Sequence, residues 1–158
     1  MDGGDANLPT FPKPCSRCQN TPMAKNESMT ISMTKISFLR IGALTGALAV
    51  AIGAFGAHGL KPHLSDYQIT IFEKGVQYQF YHTLALLAVG LLLSRSPENK
   101  WLRRAGWLFV AGIIGFSGSL YLLACRDLLA FPVGWAGPVT PLGGLCFLAA
   151  WGILAKQA

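Results

Sequence analysis

Apolar residues along this chain gather into four long runs, at about residues 38–60, 75–93, 105–124 and 139–155, with polar or proline-bearing stretches between them. A helix needs about 20 predominantly apolar residues to cross the hydrocarbon core of a bilayer. The pattern therefore predicts an all-α integral membrane protein, a bundle of four spanning helices. Ahead of the first run, residues 1–32 are rich in Pro, Gly, Asn and Ser and lack apolar periodicity, so they read as a disordered N-terminal extension. A translation start at Met29 or Met33 is the other reading, because Met33-Thr34-Lys35 leads straight into the first span.

Local signals refine each run. In the first span Gly42, Gly46, Ala49, Gly53 and Gly56 recur every three or four residues along one helix face. Small residues let membrane helices approach backbone to backbone, so these glycines are expected at a helix contact, and a homo-oligomer through span one is one way to use them. A basic start before an apolar core also suits a cleaved signal peptide, but the run exceeds a typical h-region and further spans follow. Residues 61–74 are amphipathic: Leu64, Tyr67, Ile71 and Phe72 fall on one side, Asp66, Gln68 and Glu73 largely on the other. With the Ser65/Gln68 capping box, they predict an interfacial amphipathic helix between spans one and two, bending or running into the second span at Gly75. Ala111, Gly115 and Ser119 give span three a small-residue face. Pro132, Gly134, Gly137 and Pro138 then break the chain into an interfacial or re-entrant turn with Trp135 at headgroup level. Thr140 as N-cap and Pro141 at the first helical position are expected to open span four.

Charge adds direction. The chain is 52% hydrophobic and 13% charged, unlike a soluble globule, and its net charge of +6 is spread between the apolar runs rather than in a patch with interleaved aromatics. The lipid bilayer is the expected partner, and nucleic acid is not. Four spans put both termini and the 94–104 connection on one side, with Lys25, Lys35, Arg40, Arg95, Lys100, Arg103, Arg104 and Lys156; Lys61, Lys74 and Arg126 fall on the other. By the positive-inside rule, both termini are cytoplasmic. Four cysteines set no disulfide framework. Cys15 and Cys18 have the spacing of half a zinc site, but no second pair follows, so neither metal nor cofactor is expected.

The candidate chemistry gathers in Gly75 to Leu87, where Gln77, Tyr78, Gln79, Tyr81 and His82 share the first turns of the second span. Lipid offers these groups no hydrogen bonds. Tyr78 and His82 are four apart, as are Gln77 and Tyr81, so each pair lies on one helix face. At 1.5 Å per residue His82 sits roughly 10 Å below the outer end of its span, at about the depth of Ser117, with Tyr121 above it. His58 and Thr140 mark the outer ends of spans one and four. The expectation is a polar cluster in the outer half of the bundle, made of His58, Gln77, Tyr78, Tyr81, His82, Ser117, Ser119, Tyr121 and Thr140. Its leading use is interhelical packing; the other is a ligand or ion site in a small transporter or binding protein. A haem or metal held by His58 and His82 lacks a carboxylate or thiolate at matching depth. No nucleophile, base and orienting group come together, so an enzyme is not expected.

Four stretches resemble a known family. They are Gly53-Ala54-Phe55-Gly56-Ala57-His58-Gly59-Leu60, Gly75 to Leu86, Phe116-Ser117-Gly118-Ser119-Leu120-Tyr121, and Thr140-Pro141-Leu142-Gly143-Gly144. In this order they are similar to the transmembrane protein 256 / domain-of-unknown-function 423 family of small four-helix membrane proteins, from about Met33 to the C-terminus. The first 32 residues have no counterpart in the usual family pattern, and Thr83 stands where that pattern has alanine. The resemblance implies a multi-pass membrane protein without assigned catalytic residues, in a bacterial inner membrane or alternatively a mitochondrial one.

Overall fold

The computed structural model describes the backbone of residues 22–157 and the side chains of residues 38–157. Helix α1 (Pro22–Phe55) ends in a five-residue π-helical turn, Gly56–Leu60. Helix α2 (Asp66–Arg95) follows a short turn. Helix α3 (Lys100–Ala124) contains a second π-helical turn at Ile113–Ser117, and a 3-10 turn at Arg126–Leu128 leads toward α4 (Ala136–Gln157). Among the described residues four segments are long and apolar enough to cross a membrane: Phe38–Leu60, Asp66–Arg95, Lys100–Ala124 and Ala136–Gln157. These are the four spans anticipated from the hydropathy pattern. Of the N-terminal extension, residues 1–21, with Cys15 and Cys18, lie outside the described residues. From Pro22 the backbone is already helical and runs unbroken into the first span.

Consecutive helices pack antiparallel, and glycines set the contacts. A β-carbon on Gly42 would meet Leu87, on Gly46 Thr83, on Gly53 Val76 and on Gly56 Phe72. Partner numbers fall as the glycine numbers rise, which is an antiparallel register. The glycine stripe of α1 is thus covered by α2 of the same chain, while Leu44, Leu48 and Val50 on α1 are exposed. This alters the premise for self-association through span one: the stripe that suggested it is already occupied. Helices α3 and α4 cross at Gly115 and Gly143, where a β-carbon on Gly115 would lie 3.3 Å from the Gly143 Cα.

Polar contacts tie the ends together. At one end Asn99 accepts hydrogen bonds from the N–H groups of Trp101 and Leu102, capping α3, and donates its own amide to Gln157 of α4 at 2.6 Å. At the other end the Ser65/Gln68 capping box forms as the spacing predicts, and the Gln68 side-chain amide donates to Asp127 at 2.7 Å.

Three expectations need correction. Residues 66–74 are not a separate interfacial helix; they are the first turns of a continuous α2 of 30 residues. At 1.5 Å per residue that helix is about 45 Å long, against a hydrocarbon core of about 30 Å, so it exceeds what an upright span needs. In these first turns Phe72 packs with Leu60, Leu64 and Ala124, whereas Tyr67, expected on the same apolar side, is exposed and Gln68, expected on the polar side, is buried. Gly75 does not interrupt α2. Its missing side chain makes room for the Tyr121 ring, which a β-carbon would approach to 2.7 Å. Thr140 is not an N-cap, since α4 begins at Ala136 and holds Pro141 within it. Pro138 falls in the first turn, where an N–H has no helical partner, and Pro141 removes one later bond.

Candidate functional site

Helix α2 carries three polar stripes at i, i+4 spacing, and each faces a different direction. Successive residues rotate by about 100°, so Gln77/Tyr81, Tyr78/His82 and Gln79/Thr83 point in three directions. Gln79 and Thr83 are buried against α1. The Gln79 amide nitrogen donates to the Thr45 carbonyl at 2.9 Å, and the Thr83 hydroxyl donates to Thr45 Oγ1 at 3.1 Å. Thr45 in turn donates to the carbonyls of Ile41 and Gly42. From α3 the Tyr121 hydroxyl donates to Gln79 Oε1 at 2.9 Å. One chain of hydrogen bonds therefore links three helices through a glutamine that is only 3% exposed.

A second, smaller set joins α3 to α4. The Ser119 and Thr140 hydroxyls share a hydrogen bond of 2.7 Å, and the one that accepts it donates to its own backbone partner, the Phe116 carbonyl for Ser119 or the Ala136 carbonyl for Thr140. Ser117, in the π-helical turn, is fully buried, and its hydroxyl has no partner among the described residues. The close crossing at Gly115 and Gly143 brings these groups within reach of each other.

His82 joins neither set. Its Nδ1 lies 2.7 Å from the Tyr78 carbonyl, one turn back on α2. A carbonyl only accepts, so Nδ1 bears the hydrogen, and in the neutral imidazole Nε2 is left as a bare acceptor. The ring stacks on Phe147 of α4, with centroids 3.4 Å apart and planes 9° from parallel. Phe109 and Trp151 flank it at 6.0 and 6.4 Å. Beside this stack a groove of about 350 Å³ is lined by Tyr78, His82, Phe116, Pro141, Gly144, Leu145, Phe147, Leu148 and Trp151.

The remaining residues named from sequence stand apart. Gln77 and Tyr81 are exposed on the outer face of α2, where the Gln77 amide donates to the Tyr81 hydroxyl at 2.9 Å. His58 is exposed in the π-helical turn after α1. That turn packs at Phe72, about 15 Å along α2 from His82, so the two histidines do not converge. Among the described residues no three of His, Cys, Asp and Glu gather as a metal site would require. The anticipated single cluster is therefore two buried hydrogen-bonded sets, an exposed Gln77–Tyr81 pair and two histidines that stand apart. Thr45, Gln79 and Thr83 carry the larger set; Gln79 and Thr83 stand in the polar stretch noted from sequence but outside the nine-residue cluster, and Thr45 is not noted there at all. Their signal was the third i, i+4 stripe on α2, opposite a threonine in the glycine-rich face of α1.

The comparisons with known proteins agree with this architecture. Residues 52–144 match the family model described as "Protein of unknown function (DUF423)". The chain is 46% identical over 118 residues to a "UPF0382 membrane protein" of Staphylococcus epidermidis, covering 74% of this chain and 90% of that one. It is 44% identical over 115 residues to a UPF0382 membrane protein of Staphylococcus aureus, covering 72% and 88%. With the UPF0382 membrane protein YwdK of Bacillus subtilis it shares 41% identity over 121 residues, covering 77% and 94%. No solved structure matches the chain. A four-span bundle, a family model over most of its length and relatives named as membrane proteins converge: the chain belongs to the domain-of-unknown-function 423 family of membrane proteins.

Proposed function

We propose that this protein is a structural or accessory component of the bacterial inner membrane, with both termini in the cytoplasm, and that its internal polar side chains hold the helices in register. The single observation that carries this reading is Gln79. Its side-chain amide, buried among three helices, donates to α1 and accepts from α3. Such bonds are how membrane helices fix their rotation and depth when hydrophobic contrast between neighbours is absent. The excess of Lys and Arg at the end shared by Arg95, Lys100, Arg103, Arg104 and Lys156 supports the orientation, and the bacterial relatives support the membrane.

The experiment is cysteine labelling in intact cells at positions 119 and 121 with a water-soluble maleimide. The structural reading expects both to resist labelling while a control at exposed position 63 reacts. Rapid labelling of 119 and 121 would instead indicate an aqueous path, and would favour a small transporter. Position-specific reporters fused at either end check the orientation.

A further inference from the structure

Ser117 Oγ and Arg103 Nε are buried without a partner among the described residues, and beside them His82 stands outside both hydrogen-bonded sets. Its Nε2 has no hydrogen-bonding partner among the described residues, and the ring forms part of the wall of the groove between α2 and α4. We propose that this groove binds an apolar aromatic ring bearing a hydroxyl, a phenol or quinol taken up from the bilayer, whose O–H donates to Nε2 of His82. The inference goes beyond the structural role and does not depend on it, because His82 belongs to neither set.

Three features argue for such a ligand. The first is hydrogen-bonding complementarity. With Nδ1–H committed to the Tyr78 carbonyl, Nε2 needs a donor, and an acyl chain has none to give. The second is the walls. Tyr78 packs on Phe116 with centroids 4.7 Å apart, Phe116 on Phe147 at 5.8 Å, and Trp151 closes the far side. Such aromatic faces receive a flat ring in offset or edge-on contact. The third is the floor. Gly144 lines the groove, and a β-carbon there would meet only ordinary contacts, 3.7 and 3.8 Å from the Phe116 ring. Its neighbour Gly143 is required by the helix crossing, but packing does not require a glycine at 144. Its absent side chain keeps the groove open. The volume of about 350 Å³ suits a small molecule. Leu145 and Leu148 on the lip are exposed, so the opening faces the lipid, from which an apolar phenol would partition.

The test uses the full-length protein in phospholipid nanodiscs with isotope-labelled histidine. The probes are para-hexylphenol and its methyl ether, para-hexylanisole, which has the same ring and tail but no donor. The expected result is a saturable shift of the His82 Nε2 resonance with the phenol, the resonances of exposed His58 and His63 staying in place. The ether should bind about tenfold more weakly, the difference one hydrogen bond makes. His82→Phe keeps an aromatic ring and should erase that preference, and Gly144→Leu should exclude both probes. Equal binding of phenol and ether would mean an apolar groove that any hydrocarbon fills, and would overturn the proposal. So would an unmoved Nε2 signal, a preference that survives His82→Phe, or unchanged phenol binding in Gly144→Leu. The wild-type comparison of the two probes decides the matter even if either variant fails to fold.

Discussion

Tyr121 on α3 donates its hydroxyl to Gln79 on α2 at 2.9 Å, and through that glutamine it is coupled to α1, whose Thr45 carbonyl accepts the other end of the same amide. A single side chain thereby sets the rotation of three helices. Gln79→Leu keeps the volume and removes both bonds, leaving a hydroxyl and a carbonyl facing methyl groups. Interhelical hydrogen bonds in membranes average about 0.6 kcal/mol and reach about 1.7. The expected loss for two is therefore roughly 1–3 kcal/mol, read from unfolding in mixed detergent micelles. A double-mutant cycle with Tyr121→Phe should return a coupling of about 0.6 kcal/mol or more. Additive effects would mean that the two side chains do not meet.

Thr83→Val should cost much less. The Thr83 methyl packs 3.1 Å from where a β-carbon of Gly46 would stand, and valine retains that surface. Only the bond to Thr45 is lost, and Thr45 remains satisfied by the Ile41 and Gly42 carbonyls. A loss of about 0.6 kcal/mol or less is expected in the same unfolding assay. A loss equal to that of Gln79→Leu would show that Thr83 bears more of the contact than its geometry implies.

The number of spans and the Ser65/Gln68 cap were legible in the sequence because both are local: a run of apolar residues and a three-residue spacing. Rotation about the helix axis was not. Gln77 and Gln79 are chemically alike and two residues apart, yet one is exposed and the other buried, because α1 and α3 cover only part of α2. His82 is expected from sequence at about the depth of Ser117, yet its ring stacks on Phe147, about 10 Å along α4 from Thr140. The two π-helical turns also escape sequence reading. Each sits at a glycine-bearing segment, Gly56–Leu60 and Ile113–Ser117, but glycine alone announces a close contact as readily as an extra residue in the turn. Thr140-Pro141 misleads for a related reason. The same dipeptide opens a helix or lies one turn inside it, and only the start at Ala136 distinguishes the two.

Cys125, just beyond the C-terminal end of α3, gives a pH prediction. Burial pushes its thiol above the ordinary value. The thiolate is the reacting form, so alkylation at neutral pH should be slower than for a free thiol, and its rate should rise only beyond the usual thiol pKa of about 8.5. For stability, the unfolded thiol ionises first as pH rises. The folded state is therefore unaffected below about pH 8.5 and loses stability from there up to its own higher pKa. Iodoacetamide kinetics on a variant with serine at positions 15, 18 and 146 would check the first point. A rate inflecting at or below that of free cysteine would contradict it.

The crossing of α3 and α4 yields the sharpest contrast between two similar substitutions. A β-carbon on Gly143 would stand 2.8 Å from the carbonyl carbon of Gly115 and equally close to the Phe116 Cα. These are backbone atoms, so no rotamer change relieves the clash and the helices must separate. Separation would stretch the 2.7 Å Ser119–Thr140 bond formed across the same interface. Gly143→Ala is expected to cost about 1–3 kcal/mol, the range for overpacking, and to expose the ring of Phe147. Gly152, on the same helix, has no atom within 4 Å of where its β-carbon would go. Gly152→Ala should leave stability unchanged or raise it by up to about 1 kcal/mol through helix propensity. Unfolding of the two variants side by side tests the packing directly, and equal stability would mean that the backbones of α3 and α4 do not touch at this point.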